Sequence, residues 1–414
     1  MRILLITLAF SAVFLSAADW PNFMGPTRNG VASETGIIKS FTSSGPAVLW
    51  SAKLGEGFGA AAIVGGKVYI LDREADTEDI MRCYDLATGK VEWKTSYTAP
   101  GKTSFNGSRC VPAVDETYVF SVGQMGQITC FERATGKQLW QKSISDDYGV
   151  KLPNWGFAQC PVIYKNTVII GVQGNRAGVV AFDKATGNEA WSSRTLSGGV
   201  GYVSPMVYTI DGVDQVVMIS ARGKSEKGEV VGFNAENGRE LWTYDGWQCS
   251  IPIGNALHLG NGKLFITGGY KAGSVMIQVS GSSVNEVFKL DFETCGAQVH
   301  LPLVIGEYMY LFSNSNERKD GMTCISLTGD KKWNTGKTPN FGLGGSIFIE
   351  GQIWAVDGDT GKLHIIDPSP DGYKEVSSAK VLSGKQMWAP LALSDGHLVI
   401  RDQSTLKCLD VKTK

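Results

Sequence analysis

Residues 130–140 have the sequence CFERATGKQLW, and residues 181–191 have the sequence AFDKATGNEAW. Each segment begins with a small residue, carries a Thr-Gly step near its middle and ends in Trp. The Thr side chain favours a turn, and Gly adopts the positive φ that tight turns need. The same pattern occurs at residues 83–93 and, with Asn in place of Thr, at residues 232–242. The chain therefore contains a repeated strand–turn–strand unit.

The repeat continues along the chain and predicts the fold. Weaker copies begin at residues 277, 324 and 365, so the copies are spaced by 41 to 51 residues. A further copy begins at Cys408 without reaching a Trp, and residues 48–54 (VLWSAKL) have the sequence of the missing strand. Pairing of these two segments would close a ring of sheets and remove its exposed edges. We predict an all-β, eight-bladed β-propeller of four-stranded antiparallel blades, the last blade closed by an N-terminal strand; seven blades is the alternative.

The composition agrees with this fold and excludes several classes of function. Of 414 residues, 51 are Gly and only 19% are charged, as expected for many short strands joined by tight turns. Hydrophobic residues make up 43% of the chain, which excludes wholesale disorder. The net charge of −1 gives no general attraction to nucleic acid or anionic lipid. We therefore expect no nucleic-acid partner.

The first residues are predicted to direct export. Met1-Arg2 is followed by an apolar run of about 13 residues, too short to span a bilayer, and then by small residues that a signal peptidase accepts. We predict a signal peptide at 1–18, an N-terminal extension at 19–45 and a propeller at 46–414. An uncleaved anchor is the alternative. The mature protein is expected in the periplasm or outside the cell, as a monomer without a membrane span.

Six tryptophans end the repeats and are predicted to be structural. A Trp on an outer strand buries about 150–250 Å² against the next blade, which explains its recurrence. None of the six is expected to bind a cofactor. The residues assigned to this docking role are Trp50, Trp93, Trp140, Trp191, Trp242 and Trp333.

The repeated segment resembles the tryptophan-docking blade of the pyrroloquinoline-quinone-like β-propeller superfamily. The resemblance covers residues 46–414, and residues 19–26 (DWPNFMGP) resemble the mature N-terminus of exported bacterial members. The superfamily includes quinoprotein alcohol dehydrogenases, the propeller lipoprotein of the outer-membrane-protein assembly machinery and exported members of unknown function. The resemblance thus implies the propeller fold and leaves the activity open.

Features that the quinoprotein dehydrogenases use are missing from the sequence. That branch holds its quinone against a disulfide between adjacent cysteines, and some members carry a haem-attachment CxxCH; neither pattern occurs here. No stretch matches the family's calcium ligands or catalytic base residue by residue. The assembly lipoprotein also lacks these features, but its anchor Cys has no counterpart after the predicted cleavage site. We predict no cofactor, metal or catalytic residue, with pyrroloquinoline quinone plus calcium as the disfavoured alternative.

The eight cysteines fall into two sets. One set occupies the first position of the repeat, where a small buried side chain is needed: Cys83, Cys130, Cys324 and Cys408. The other set precedes the innermost strands: Cys110, Cys160, Cys249 and Cys295. A Cys110–Cys160 disulfide is left open for an oxidising compartment. Equivalent positions on neighbouring blades are nevertheless expected to exceed the roughly 7 Å Cα separation that a disulfide allows.

Loops that enter the innermost strands share one face with the loops between second and third strands, and together they form a funnel. Stacking and hydrogen bonding there would suit a planar or sugar-like ligand. The first interpretation is that these side chains only fill the central channel, and a specific ligand site is the alternative. The residues predicted at the mouth are Arg109, Trp155, Gln159, Tyr202, Trp247, Gln248, His300, Phe341 and Trp388.

Charged residues of the same loops are typical of an ordinary solvated surface, and a docking surface for a partner is the alternative. Opposite charges on one face would orient a protein or an anionic polymer. The acidic patch comprises Asp72, Glu74, Asp76, Glu78 and Asp79. The basic arc comprises Arg222, Lys224, Arg318 and Lys319.

These observations predict an exported, non-enzymatic propeller that serves as a binding or assembly scaffold in the cell envelope. An envelope protein or a small ligand is expected at the loop face. The first alternative is an alcohol or polyol oxidoreductase with a degenerate quinone site. The second is carbohydrate or polymer binding at the funnel.

Overall fold

The computed structural model describes residues 18–315 and 317–413. The predicted signal peptide, apart from its last residue, lies outside the described residues. Eight sheets follow one another along the chain, seven with four strands and one with five. The predicted all-β, eight-bladed propeller is confirmed, and the alternative of seven blades is wrong.

The strands follow the predicted order of the repeats. The N-terminal strands are β1 (Val31–Ala32) and β2 (Ala47–Lys53). Blades 1 and 2 contain β3 (Ala62–Val64), β4 (Lys67–Glu74), β5 (Glu78–Asp85), β6 (Val91–Thr98), β7 (Ala113–Val114), β8 (Tyr118–Val122), β9 (Gln127–Glu132) and β10 (Gln138–Ser143), followed by a single helical turn, α1 (Ile144–Tyr148). Blades 3 and 4 contain β11 (Val162–Tyr164), β12 (Thr167–Ile170), β13 (Val180–Asp183), β14 (Glu189–Ser192), β15 (Met206–Ile210), β16 (Val213–Ile219), β17 (Val230–Asn234) and β18 (Glu240–Tyr244). Blades 5 and 6 contain β19 (Leu257–His258), β20 (Lys263–Gly268), β21 (Gly273–Ser280), β22 (Ser283–Leu290), β23 (Leu303–Ile305), β24 (Tyr308–Asn314), β25 (Lys319–Ser326) and β26 (Lys331–Asn334). Blades 7 and 8 contain β27 (Ser346–Ile349), β28 (Gln352–Val356), β29 (Lys362–Asp367), β30 (Lys374–Lys380), β31 (Ala392–Ser394), β32 (His397–Arg401) and β33 (Thr405–Asp410).

The ring closes as the sequence predicts. The first strand of each blade lies innermost, and first strands of adjacent blades contact each other, as β3 does with β7 and β31. The N-terminal strand β2 pairs antiparallel with β33 and becomes the outer strand of blade 8. The two ends of the propeller are therefore joined by main-chain hydrogen bonds.

The small residue at the start of each repeat has a direct structural reason. Trp140 lies opposite Cys130 in the pairing of β9 with β10, and Trp191 lies opposite Ala181 in the pairing of β13 with β14. The other four docking tryptophans also lie opposite the first residue of a repeat. Directly opposed side chains on antiparallel strands are in contact. A large indole on one strand therefore favours a small neighbour on the other.

Most of these indoles also pack on the turn of the next blade. Nε1 of Trp140 donates to the carbonyl oxygen of Lys184 in blade 3 at 2.9 Å. A Cβ on Gly187 would lie 2.7 Å from the Trp140 ring, and Gly187 has a φ of +71°. Two features therefore require Gly at this position: the positive φ of the backbone, and the close approach of the indole, which leaves no room for a Cβ. Four more indoles donate to a carbonyl of the following blade: Trp50, Trp93, Trp191 and Trp333.

Blade 4 departs from this arrangement. Nε1 of Trp242 donates at 2.6 Å to Oε1 of Gln215 in its own blade. The corresponding turn of blade 5 joins β21 to β22 through only residues 281–282, and a Cβ on Gly281 would have no neighbour within 4 Å. Because this short turn does not reach the indole, a side chain replaces the main-chain acceptor.

The N-terminal extension closes the channel at the end opposite the loops. Trp20 forms a two-way main-chain bridge with Ile63 of β3, and the N–H of Val114 in β7 donates to the carbonyl oxygen of Pro21. Met24 then packs against the innermost strands of blades 4 and 5. The segment ends as β1, which pairs in parallel with β27 and makes blade 7 five-stranded. Residues 20–32 thus cross the ring from blade 1 to blade 7.

Candidate functional site

Loops of two kinds meet at the face opposite the N-terminal segment. The N–H of Phe157, in the loop that enters blade 3, donates at 2.8 Å to the carbonyl oxygen of Gln124, which lies between the second and third strands of blade 2. The N–H of Arg222 in blade 4 donates at 2.8 Å to the carbonyl oxygen of Cys249, at the entry to blade 5. These links join loops of adjacent blades around one mouth.

The mouth leads into a cavity of about 200 Å³. Phe23 of the N-terminal segment lines the cavity and packs against Ala60, Val111 and Cys160 of the innermost strands and their entry loops. The cavity is therefore open toward the loop face and bounded on the other side by the N-terminal segment. Its aromatic lining comprises Phe23, Phe58, Phe105, Trp155, Tyr202, Tyr270 and Trp388.

The aromatic rings form one connected network in the cavity wall, in which Phe105 contacts both Trp155 and Trp388. Phe58 and Trp388 stack with a centroid separation of 5.4 Å. Trp155 lies 5.4 Å from Tyr202 and 6.4 Å from Tyr270. All six rings are half-buried. Such walls offer a planar group a large contact area in fixed geometry.

Arg109 brings a positive charge into this aromatic setting. Its guanidinium donates to the carbonyl oxygens of Phe105 at 2.6 Å and Gly107 at 3.1 Å, and lies 5.0 Å from the centroid of the Phe58 ring. None of the described carboxylates forms an ion pair with it. Burial lowers the pKa of Arg109 to about 10, so the group is still charged at neutral pH. An anionic group entering the cavity would meet a cation whose charge is not neutralised.

Two further side chains with polar groups line the same space. Nε2 of His300 donates to the carbonyl oxygen of Leu343 at 3.0 Å. Burial lowers the pKa of His300, so its imidazole is neutral at pH 7. Nε1 of Trp388 is buried and has no hydrogen-bond partner within the described part of the chain. This indole N–H is enclosed in the wall and is not exposed to the cavity.

Five of the nine side chains predicted at the mouth line the cavity, and they come from five different blades. They are Arg109, Trp155, Tyr202, His300 and Trp388.

The other four predicted funnel residues lie elsewhere, and their assignment to the mouth is corrected. Gln159 and Trp247 are buried within the ring, Trp247 in the core between blades 4 and 5. Gln248 is used up in hydrogen bonds to the main chain of the neighbouring loop. Phe341 is fully buried and stacks on Phe312 at 4.8 Å. All four side chains come from the expected loops, but three of them are buried and Gln248 is hydrogen-bonded to the neighbouring loop.

Four aromatic lining residues were missed by the sequence analysis. Phe58 lies in the loop that enters blade 1, and Phe105 lies in the loop that leads into blade 2. Tyr270 lies between the second and third strands of blade 5. Counting every aromatic residue in these two loop classes would have found all three. Phe23 has no such signal, because it comes from the N-terminal extension.

The predicted acidic patch is smaller than the sequence indicates. Asp72 and Asp79 are fully buried, so their assignment to an exposed docking surface is wrong. Asp72 accepts from Nε of Arg82 at 3.0 Å, and Asp79 accepts from the Arg73 guanidinium at 2.8 Å. The structure leaves Glu74 and Glu78 exposed and Asp76 half-buried.

The basic arc is mostly exposed. Arg222, Lys224 and Lys319 are exposed on the loop face. Arg318 is half-buried and pairs with Asp320 at 2.9 Å. The loop face is therefore more positive than the sequence predicts, and a partner-binding role for these residues stays a prediction.

Comparison with known proteins places the chain among propellers of two kinds. The family model described as "Outer membrane protein assembly factor BamB" matches residues 34–176, 78–246 and 226–388. The outer membrane protein assembly factor BamB of Nitrosomonas eutropha is 34% identical over 74 residues, which is 17% of this chain and 18% of that protein. The sequence match thus spans less than a fifth of that relative.

Solved structures show the same fold at low identity. BamB from Moraxella catarrhalis matches with a TM-score of 0.63 and 15% identity, over 89% of this chain and 98% of its own. A europium-containing methanol dehydrogenase matches with a TM-score of 0.66 and 14% identity, over 92% and 89%. The quinohemoprotein alcohol dehydrogenase of Comamonas testosteroni gives 0.64 and 12%, over 96% and 81%.

One further finding concerns the membrane. In residues 18–315 and 317–413, the structure has no helix long and apolar enough to cross a bilayer.

The overlapping matches of the family model extend from residue 34 to residue 388, and the propeller fold agrees with them. The chain therefore belongs to the pyrroloquinoline-quinone-like β-propeller family described by the outer membrane protein assembly factor BamB.

Proposed function

We propose that this chain is a non-enzymatic binding scaffold of the cell envelope, whose partner docks at the funnel face. The observation that carries the proposal is the cavity at the mouth, in which aromatic rings surround the unpaired cation of Arg109. Aromatic side chains and Arg are the residues that most often dominate the energy of binding interfaces. An acidic or aromatic group of the partner would fit between them.

The same cavity is poorly equipped for acid–base catalysis. Its lining contains a neutral His300 whose Nε2 is already bound to a main-chain carbonyl, and no carboxylate orients that ring. General acid–base catalysis needs a proton acceptor held by a second group near the reacting atom. The lining residues do not supply such a pair, which favours binding over acid–base catalysis.

The quinone and calcium of the dehydrogenase branch do not fit the residues present. Calcium takes six to eight oxygen ligands, mainly from carboxylates and carbonyls. The side chains that line the cavity supply one amide, Gln298, and no carboxylate. The described residues also contain no group of three or more His, Cys, Asp or Glu able to hold a metal. The cavity lining therefore does not fit a calcium-bound quinone.

Photo-crosslinking in the native envelope tests the docking face. A photoreactive phenylalanine analogue replaces Phe105 at the mouth, and the matched control places it at Val287, which is 51% exposed on the outer strand of blade 5. We expect a discrete crosslinked product from position 105 that weakens when Arg109→Ala is added. Equal products from both positions, or a product from position 287 alone, would overturn docking at the funnel.

A second measurement tests the absence of catalysis. The purified chain is incubated with pyrroloquinoline quinone and calcium, and its absorption spectrum and alcohol-dependent dye reduction are followed. We expect neither a saturable spectral change nor dye reduction. Saturable binding together with dye reduction would replace the scaffold by the oxidoreductase alternative.

A further inference from the structure

Two of the eight cysteines lie beside the cavity, on adjacent blades. Cys110 precedes the first strand of blade 2 and Cys160 precedes the first strand of blade 3. All eight cysteines are buried and unpaired in the structure. Cys160 is 5% exposed and belongs to the cavity lining, whereas Cys110 lies behind it with no exposed surface. A small molecule in the cavity would reach Cys160 first.

The two thiols share one short stretch of main chain. The N–H of Val111 donates to Sγ of Cys160 at 3.2 Å. Sγ of Cys110 donates to the carbonyl oxygen of the same Val111 at 3.3 Å and accepts from the N–H of Val122 at 3.3 Å. The sulfur atoms of Cys110 and Cys160 are thus both hydrogen-bonded to Val111, which brings the two thiols to the same residue of the cavity wall.

The surroundings of Cys160 stabilise a thiolate. The Cys110 thiol, the N–H of Val111, the hydroxyl of Ser204 and the charge of Arg28 together lower the pKa of Cys160. A thiolate is the nucleophilic form of Cys, and reactive cysteines lie in such electropositive, accessible places. In the other seven cysteines burial raises the pKa, to about 12 in Cys83, Cys130 and Cys408 and to about 11 in Cys249.

We propose that Cys160 and Cys110 form a redox-active thiol pair, in which Cys160 reacts with a small hydroperoxide in the cavity and Cys110 resolves the product. In the first step the Cys160 thiolate attacks one peroxide oxygen, the O–O bond breaks, and a sulfenic acid and hydroxide form. In the second step the Cys110 sulfur attacks the Cys160 sulfur, the S–O bond breaks, and the Cys110 proton leaves with the hydroxyl as water. Two thiols and one hydrogen peroxide thus give one disulfide and two waters.

The resulting disulfide would tie blade 2 to blade 3 in the wall of the cavity. A bridge between Cys110 and Cys160 closes a loop of about fifty residues, and a disulfide over such a loop stabilises a fold by restricting the unfolded chain. The inference does not depend on the identity of the docking partner, since it concerns the lining of the cavity alone. Failure of the proposed scaffold function would leave it unaffected.

Peroxide oxidation of the full purified chain tests the pair. The chain is first reduced, freed of reductant and treated with an equimolar amount of hydrogen peroxide; remaining thiols are then alkylated under denaturing conditions. We expect six alkyl groups in the intact mass instead of the eight of the reduced chain, and peptide mapping should show one link, Cys110 to Cys160. In Cys110→Ser, dimedone should trap a sulfenic acid on Cys160 without a link. In Cys160→Ser, Cys110 should stay reduced.

Cys295 provides the matched control, because it is a buried cysteine in the corresponding loop of another blade. Cys295→Ser should form the Cys110–Cys160 link as the wild-type chain does. In the wild-type chain itself, where no variant has to fold, isotope-coded alkylation should show Cys160 oxidised at least about tenfold faster than Cys295. Equal oxidation of Cys160 and Cys295, or links distributed among other cysteines, would overturn the proposal.

Discussion

The outer edge of the ring and the funnel at its centre use the same repeat in opposite ways. At the outer edge, blade after blade repeats one contact, in which an indole packs on the next blade, as in Trp140 against Gly187. At the funnel, equivalent loops present a different side chain in each blade, such as Arg109 in blade 2 and Tyr202 in blade 4. The contrast teaches that the ring is stabilised by what the blades share, whereas binding depends on how they differ.

Removing a docking indole should lower the free energy of unfolding more than any other substitution considered below, because the indole is part of the contact that the blades share. Trp140 is 9% exposed and fills the interface between blades 2 and 3. Trp140→Ala should lower the free energy of unfolding by about 3–5 kcal/mol, because it leaves a cavity in the core. Chemical denaturation followed by circular dichroism measures this loss.

The matched control is a Trp at the funnel. Trp388 is half-buried, and the space beside it is already open. Trp388→Ala should cost only about 1 kcal/mol, near the average for substitutions. Equal losses at Trp140 and Trp388 would contradict the division between a stabilising edge and a binding centre.

The turn glycines give the next largest effect and separate two reasons for Gly. Gly187 has a φ of +71° and a Cβ there would lie 2.7 Å from the Trp140 ring; Gly212 has a φ of +74° and nothing within 4 Å. Both Ala substitutions carry the left-handed backbone cost of about 1–2 kcal/mol. Gly187→Ala should lose about 1–3 kcal/mol more, because the new methyl group displaces the indole.

Thermal or chemical unfolding of the two Ala variants under identical conditions measures the difference. If Gly187→Ala and Gly212→Ala lose the same stability, the repeated contact between turn and indole contributes nothing, and the turn glycines serve the backbone alone.

Blade 4 offers a sharper test, because its indole depends on a side chain. Trp242 donates to Gln215, whereas Trp140 donates to a main-chain carbonyl that no substitution of Lys184 removes. Gln215→Met should cost about 1–3 kcal/mol, since it leaves the buried Trp242 N–H without an acceptor. Lys184→Met should leave the Trp140 hydrogen bond intact and is the control for stability measured by denaturation.

A smaller loss in Gln215→Met than in Lys184→Met would contradict this view of blade 4. Lys184 also pairs with Asp115 at 2.7 Å. That pair is partly exposed, and such pairs contribute about 0–1 kcal/mol, so the expected order of the two variants holds.

The sequence predicts the edge of the ring well because six of the eight blades place a Trp in the same pairing on the outer strand. A small residue must oppose each indole and a positive φ must end each turn, so the pattern recurs and eight copies can be counted. The funnel has no such repetition. Phe341 has a φ of +67°, and its loop turns the ring into the core instead of the mouth. Phe23 reaches the cavity only because residues 20–32 cross the whole ring.

The spacing of charged residues along the chain likewise predicts only part of the charged surface. Five acids within eight residues indicate an exposed patch, but Asp72 and Asp79 occupy strand positions whose side chains turn inward. Their arginine partners, Arg82 and Arg73, lie on the same two strands. Strand alternation does not separate Asp72 from Glu74, because the two lie on the same face of β4 and only Glu74, at the end of the strand, is exposed.

The smallest expected effect concerns His300 in the funnel. Because its imidazole titrates, it should make the free energy of unfolding depend on pH, whereas the docking indoles do not titrate. Burial lowers the pKa of His300 in the folded chain, whereas an unfolded His titrates near about 6.5. Above that pH neither state binds the proton, so pH has no effect. Below it the unfolded chain takes up a proton that the folded chain refuses, and stability falls by up to about 1.4 kcal/mol per pH unit until the folded pKa is reached.

His300→Gln keeps a donor for the Leu343 carbonyl oxygen and removes the titration. The free energy of unfolding should therefore fall less in this variant than in the wild-type chain between pH 7.5 and 5.5, by about 1 kcal/mol. Burial also lowers the pKa of His258, but that residue is present in both proteins and cancels in the difference. Parallel losses would mean that His300 is protonated as easily in the folded chain as in the unfolded one, and the cavity would then carry a second positive charge beside Arg109 in mild acid.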